Sequence, residues 1–396
     1  MKLSQATNLY LPLLLLFIFS DIICDNFIVH SCSHLSATFQ LVFFLCLIGL
    51  QIIFGPIQAA FSDLYCRKKS LVVSLSFSFV ALVLATMNAQ KPLFAVLALA
   101  IIILSKGVLG NTIPLSLAAI ADTQKKNLRF SFGIATSAYA FAYLILTFSR
   151  QYLSDTQEAN SFIILLLLIV VLCVVLFKDT RDRRFARFSG GPAFPSIRKI
   201  SDELELLLKR LKNRHLQYGL LSFFLWEISL YSVLLLYVDF NIAKFSNVAL
   251  AMLGGYFLGV LFLKVFKKIS DQAMIKIGYN LSAWSLIPFF VLYPIVKINF
   301  ILLSSCYFFH TFGNALLGST LFAMIAKEYS PHDQGKNYGL IESTDTVAFL
   351  VSILAILATN SYKLHLLYII GFSYITVALS WIPYSKFLKT AQERHS

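Results

Sequence analysis

Long apolar runs occupy most of this sequence. A helix needs about 20 mostly apolar residues to cross a bilayer, and twelve segments approach or exceed that length: 9–29, 39–61, 70–87, 92–120, 130–149, 161–178, 216–238, 246–263, 274–294, 298–325, 338–358 and 364–384. Lipid offers the backbone no hydrogen-bond partners, so only helices and closed barrels span it. The alternating pattern of a barrel strand is absent. The expected fold is therefore an all-α membrane protein of twelve transmembrane helices. Twelve spans in 396 residues leave little chain for an extramembrane domain.

Only 13% of the residues are charged and 58% are hydrophobic, where a soluble domain carries about 25% charged residues. That composition excludes a water-soluble globule, a disordered chain and a disulfide scaffold. The six cysteines, Cys24, Cys32, Cys46, Cys66, Cys173 and Cys306, show no paired or metal-ligand spacing. They read as small apolar residues.

Lys and Arg outnumber Asp and Glu by 33 to 19, and the location of those bases gives orientation. With the N-terminus inside, the tails, the loops on that side and the span ends adjoining them (Lys178 and Lys276) hold 27 bases, the opposite loops hold five (Lys91, Arg150, Lys244, Lys297 and Lys363), and Lys106 lies in mid-span. Both termini are thus expected to be cytoplasmic, in a multi-pass protein of the plasma (inner) membrane. Span 1 lacks the basic start and the small-residue cleavage site of a signal peptide. The excess of bases is a record of topology, with no stripe suited to nucleic acid.

The longest polar stretch, 178–215, holds eleven bases and five acids and divides the chain into two sets of six spans. The expected organisation is an N-terminal six-helix bundle at 1–178, a cytoplasmic linker at 179–215 and a C-terminal six-helix bundle at 216–396. Within the linker Leu204, Leu207, Leu208 and Leu211 recur at helical spacing, with Asp202 and Glu205 early and Lys209, Arg210, Lys212 and Arg214 late. This suits an amphipathic helix on an anionic leaflet; a solvated linker is the alternative. The bundles look related at an offset of about 205 residues. Phe17-Ile-Phe-Ser-Asp21 aligns with Phe223-Phe-Leu-Trp-Glu227, and the ten residues from Gly133 align with those from Gly339. Duplicated helical halves mark transporters that rock around a midplane site.

The turn between spans 2 and 3 reads Gly55-Pro-Ile-Gln-Ala-Ala-Phe-Ser-Asp-Leu-Tyr-Cys-Arg-Lys-Lys69. It resembles the signature loop of the major facilitator superfamily, Gly-x-x-x-Asp-Arg-x-Gly-Arg-Arg, with Asp63, Arg67 and Lys68 on the charged positions. Ala59, Leu64 and Cys66 stand where that pattern has Gly, Arg and Gly. Lys106-x-x-x-Gly110 in span 4 resembles the family's Arg-x-x-x-Gly. Ala121-Asp122 followed by Arg129, and Ser330-Pro-His-Asp-Gln-Gly335 with Tyr338-Gly339, resemble its later loops. The resemblance implies two pseudo-symmetric bundles and a cytoplasmic gate. Asp63 would face the N-terminal end of span 11 and Arg67 would reach Asp122. Lys68, Arg129, Glu342 and Asp345 complete the expected gate. A solvated basic turn that only sets topology is the plainer reading of the same loop.

Ionisable groups inside a span are costly and default to function. At about 1.5 Å per residue, Asp21, Lys106 and Glu227 lie about 17–21 Å in from the cytoplasmic ends of spans 1, 4 and 7, and His310 lies about 18 Å from the outer end of span 10. These are the spans that line the central cavity in the resembled family. Asp25 is one turn beyond Asp21. Three acids around one base could hold and release a proton and favour a cationic or zwitterionic solute; a structural Asp21–Lys106 pair is the competing reading. Tyr139, Trp226, Tyr231, Trp284, Phe308 and Phe309 could form a substrate wall. His30 and His34 lack further ligands for a metal and read as an outer loop.

No nucleophile motif, metal pair or phosphate-binding loop suggests an enzyme, and no cofactor is implied. The expected function is secondary active transport of a small organic solute by alternating access, coupled to protons. The signature loop and Asp21 are similar to those of drug–proton antiporters of the tetracycline-efflux type, which implies export. Span 5 here has one Gly and no Pro where those antiporters carry a Gly-Pro-rich pattern, so proton-coupled uptake of an amino acid or sugar is the alternative. A non-transporting receptor or scaffold is the alternative of another class. The expected partners are a small-molecule substrate, protons and the lipid bilayer, with no nucleic acid, and the chain is expected to act as a monomer.

Overall fold

The computed structural model describes residues 2–31, 36–64, 66–90, 95–124, 127–152, 155–177, 197–238, 242–296, 300–328, 333–359, 375, 379–387 and 389. Cys32, His34, Lys125, Lys126, His332, the first part of the linker and most of the expected span 364–384 lie outside the described residues, as does the side chain of His30. Among the described residues every regular element is helical. The helices are α1 (Lys2–Ser31), α2 (Ala37–Leu64), α3 (Arg67–Gln90), α4 (Ala95–Leu104), α5 (Ile113–Thr123), α6 (Leu128–Tyr152), α7 (Asp155–Leu176), α8 (Ile197–Leu211), α9 (Arg214–Val238), α10 (Ile242–Val265), α11 (Asp271–Val296), α12 (Phe300–Glu328) and α13 (Gln334–Thr359). A π-helical turn, Ser105–Leu109, follows α4. Eleven expected spans correspond to these helices, the fourth being α4, the π turn and α5 together.

The segments Phe39–Leu64 and Arg67–Met87 each have a mean hydropathy of 2.2, and Leu97–Thr123, Leu128–Leu146, Ser304–Lys327 and Gln334–Ala355 are also long and apolar enough to cross a membrane. Outward faces follow from the same residues. On α7 Ile164, Leu168, Val171 and Val175 are exposed at helical spacing, which is the pattern of a lipid-facing stripe.

Contacts gather the helices into two compact units that do not follow chain order. The first contains Met1–Ser131, Tyr152–Leu207 and Ala326–Ser343; the second contains Phe132–Gln151, Leu208–Ile325 and Thr344–Ser396. Most of α6 thus packs with the second unit, and the first ten residues of α13 pack with the first.

In the first unit α1 packs against α3, α5 and α7. Phe17 meets Phe177 edge-on at 5.7 Å, and Leu14, Phe17 and Ile18 are fully buried. In the second unit α10 lies directly on α12. A Cβ at Gly255 would overlap Thr311 Oγ1 and the Phe308 carbonyl, so the backbones meet with no side chain between them, the small-residue packing of membrane helices. Gly255→Ala is expected to cost about 1–3 kcal/mol and lower the unfolding midpoint in detergent. Gly49→Ala, at a helical position with open space around it, gains helix propensity and should not. Equal midpoints for the two variants would contradict this packing.

Candidate functional site

The polar centre of the first unit is a break in the fourth span. The π turn widens the helix, and Gly110, Asn111 and Thr112 then leave it before α5 begins. Breaks of this kind expose backbone groups that lipid cannot satisfy. Here side chains satisfy them. The Leu109 carbonyl accepts Gln58 Nε2 at 2.5 Å, and the Gly110 carbonyl accepts Ser78 Oγ and Lys106 Nζ, each at 2.8 Å. At the start of α5, Thr112 makes no side-chain cap. Asp21 Oδ2 accepts the Thr112 and Ile113 N–H groups at 3.0 and 3.3 Å, and Pro114 has no N–H to place. A carboxylate suits a helix N-terminus.

Lys106 ties this arrangement together. Its ammonium has three hydrogens, and it finds three acceptors: Asp21 Oδ1, the Gly110 carbonyl, and Asp25 Oδ1 at 3.3 Å. The exposures divide the two acids. The Lys106 and Asp21 side chains are 0% and 1% exposed, whereas Asp25 is 34% exposed. Gln51 Nε2 lies 3.4 Å from both Asp25 oxygens. Asp21 therefore belongs to the backbone of the break, and Asp25 is the carboxylate that can be reached.

The second unit centres on Trp226, which is fully buried on α9. Its Nε1–H donates to Asn314 Oδ1 at 3.1 Å, and Asn314 Nδ2 donates to the Tyr256 hydroxyl at 3.1 Å. His310 stacks on Trp226 with 5.6 Å between centroids. Its Nδ1 lies 3.3 Å from the Ser282 carbonyl, while Ser282 Oγ donates to the His310 carbonyl at 2.7 Å. Glu227 is buried beside Trp226, and Tyr139 is half-buried on α6. The Tyr231 hydroxyl donates to Asp345 at 2.8 Å, so Asp345 joins a residue of the expected cavity rather than the other gate acids. Trp284 and Phe309 are exposed and line a separate open groove of about 470 Å³ with Ile277, Asn280, Leu281 and Ser285.

The expected gate residues meet at the end of α2. Asp63 accepts the Gly335 and Lys336 N–H groups at 2.8 and 2.9 Å, capping the first turn of α13 from outside. Arg67, fully buried, gives Nη2 to Asp63 at 2.7 Å, Nε to Asp122 at 2.8 Å and Nη1 to Ser62. The approach depends on small residues. A Cβ at Gly335 would overlap the Ala59 carbonyl, and one at Gly339 would lie 2.6 Å from Pro56 Cα. Lys68 turns elsewhere and donates to the Val174 carbonyl in the last turn of α7 at 2.6 Å. Glu342 is buried just over two turns into α13, and Arg129 is half-buried at the start of α6.

Residues 6–356 match the family model described as Major Facilitator Superfamily. The chain belongs to the major facilitator superfamily. A family of transporters, not enzymes, accounts for the helical architecture, and solved structures repeat its fold. The human organic anion transporter MFSD10 (TETRAN) is 16% identical, covers 96% of this chain and 99% of its own, and superposes with a TM-score of 0.70. The proton:xylose symporter XylE bound to 6-bromo-6-deoxy-D-glucose is 14% identical with coverage of 96% and 95% and a TM-score of 0.68. A bacterial homologue of the iron transporter ferroportin in an outward-facing state is 13% identical, with coverage of 97% and 99% and a TM-score of 0.69. No curated protein matches the sequence.

Within this superfamily fold, sequence reasoning missed Gln51, Gln58, Ser78 and Thr112 around Lys106, and Asn314 and Tyr256 around Trp226. A usable signal existed for the first group. The run Gly110-Asn-Thr-Ile-Pro114 inside an apolar segment is a helix stop followed by a helix start. Nothing comparable marks Asn314. Among the described residues no group of His, Cys, Asp and Glu is placed to hold a metal ion.

Proposed function

We propose that this protein is a proton-coupled secondary transporter of a small organic solute, with Asp25 as the carboxylate that exchanges a proton or meets a cationic group. The observation carrying this reading is the difference between the two acids around Lys106: Asp21 is sealed, and Asp25 is 34% exposed. With Asp25 ionised the cluster carries one net negative charge; with Asp25 protonated it is neutral. A site that alternates between those states favours a cation or zwitterion in one and releases it in the other. We place both termini in the cytoplasm of a plasma (inner) membrane protein on the distribution of bases, and read the chain as a monomer. The likeness of the signature loop and Asp21 to tetracycline-efflux antiporters supports export. The span 5 pattern, with one Gly and no Pro, supports uptake of a metabolite as the second reading.

Transport in proteoliposomes over a panel of dyes, amino acids and sugars, with and without an imposed pH gradient, tests this. At least one compound should move several-fold faster with the gradient, and Asp25→Asn should abolish that stimulation while preserving counterflow. Transport indifferent to the gradient would remove proton coupling. Absence of counterflow across the panel would favour a receptor or scaffold.

A further inference from the structure

The corner where α8 meets α9 carries a basic surface separate from the polar centres described above. Residues 209–214 contain Lys209, Arg210, Lys212 and Arg214, and the next acid along the chain is Glu227. The acids of α8, Asp202, Glu203 and Glu205, all precede this stretch. Two tight turns end the helix, with Lys212 N–H donating to Lys209 O at 3.2 Å and Asn213 N–H to Arg210 O at 2.9 Å. Asn213 Oδ1 then accepts the His215 N–H at 3.0 Å and starts α9. Since α9 is a 25-residue helix that contains the expected span 216–238, this turn joins the basic end of α8 directly to the start of that span.

A second segment closes the same corner. The His215 ring stacks on Phe387 at 4.2 Å and 16°. Lys386 Nζ lies 5.4 Å above the ring of Tyr218, a cation–π contact. Lys386 and Lys389 are exposed there, as are Lys209, Lys212 and Arg214. Beside these bases Leu208 and Leu211 are 53% and 37% exposed, three residues apart and so on one face. A helix turned toward water does not place leucines there. One lying at a lipid interface does, with apolar residues toward acyl carbons and bases toward phosphates.

We propose that this corner binds anionic phospholipid, with head-group phosphates against Lys209, Lys212, Arg214 and Lys386 and the first acyl carbons against Leu208 and Leu211. The charge of the patch selects anionic over neutral head groups. The two-residue connection to α9 selects the adjoining bilayer over a soluble partner. The proposal stands independently of the transported solute.

Native mass spectrometry of the full-length protein, released from micelles containing equal phosphatidylglycerol and phosphatidylcholine, tests it. The protein should retain phosphatidylglycerol over phosphatidylcholine by about tenfold. K209Q/K212Q/R214Q/K386Q should bring the two to parity. Raising salt from about 0.1 M to about 1 M, which cuts the screening length from about 10 to about 3 Å, should do the same without any substitution. L208S/L211S should lower retention of phosphatidylglycerol severalfold. Equal retention by the unaltered protein at low salt, or a preference that survives both the four substitutions and high salt, overturns the proposal. Displacement of the lipid by millimolar inorganic phosphate also overturns it, because it would identify a free-phosphate site.

Discussion

Lys106→Met is expected to destabilise the protein by about 3–5 kcal/mol, the cost of removing one partner of a buried ion pair. The substitution strands the Asp21 carboxylate, 1% exposed, and removes one of the two donors to the Gly110 carbonyl. Asp21→Asn/Lys106→Met should recover about half or more of that loss. The amide oxygen can still accept from the start of α5, Ser78 still serves Gly110, and no unpaired charge is left inside. Asp21→Asn alone should be intermediate, since Lys106 retains Asp25 at 3.3 Å. Asp25→Asn should move stability least, because that carboxylate is the partly solvated one. Unfolding midpoints of the four variants in detergent decide this. A double variant less stable than Lys106→Met would show that the pair itself, and not the stranded charge, sets the cost.

Depth along the spans was legible in the sequence for unit 1. Counting residues from the ends of spans 1 and 4 brings Asp21 and Lys106 to one level, and the structure pairs them. The signature-like loop likewise anticipates Asp63 at the start of α13 and Arg67 beside Asp122. What the sequence hid was rotation about helix axes. Tyr231 reads as an aromatic of the cavity wall and Asp345 as part of the gate, yet a hydrogen bond joins them. Asn314 carries no charge and sits in an apolar run, so nothing distinguishes it from an incidental amide until Trp226 and Tyr256 are seen on either side. The break at Gly110–Thr112 was averaged away by reading 92–120 as one span. Its effect is to convert Asp21 from a free intramembrane acid into a helix cap, which leaves Asp25 as the more exposed acid beside Lys106.

Asp63→Asn is expected to leave expression intact and lower transport by about tenfold or more. Asp63 receives two backbone N–H groups from α13 and one Arg67 nitrogen, and hydrogen bonds to a charged group contribute about 1.5–3 kcal/mol each. An amide keeps at most part of this and leaves Arg67 with Asp122 alone as its carboxylate partner. A loss of about 2 kcal/mol would shift the docked-to-undocked ratio of α13 about thirtyfold toward the undocked state. Gly335→Leu should undock the same turn without touching a charge, because a side chain there meets the Ala59 carbonyl. Leu340→Cys, at a position 7% exposed in the docked turn, reports the event directly. Its labelling by a polar maleimide, located by mass spectrometry, should accelerate about thirtyfold when combined with either substitution. If labelling and transport both stay unchanged in Asp63→Asn, the contact is structural decoration on a topology-setting loop. If transport falls while labelling does not, Asp63 acts through Arg67 and Asp122 rather than through α13. Agreement between the ionic and the steric variant is the result that ties release of α13 to turnover, since the two share no chemistry except the turn they displace.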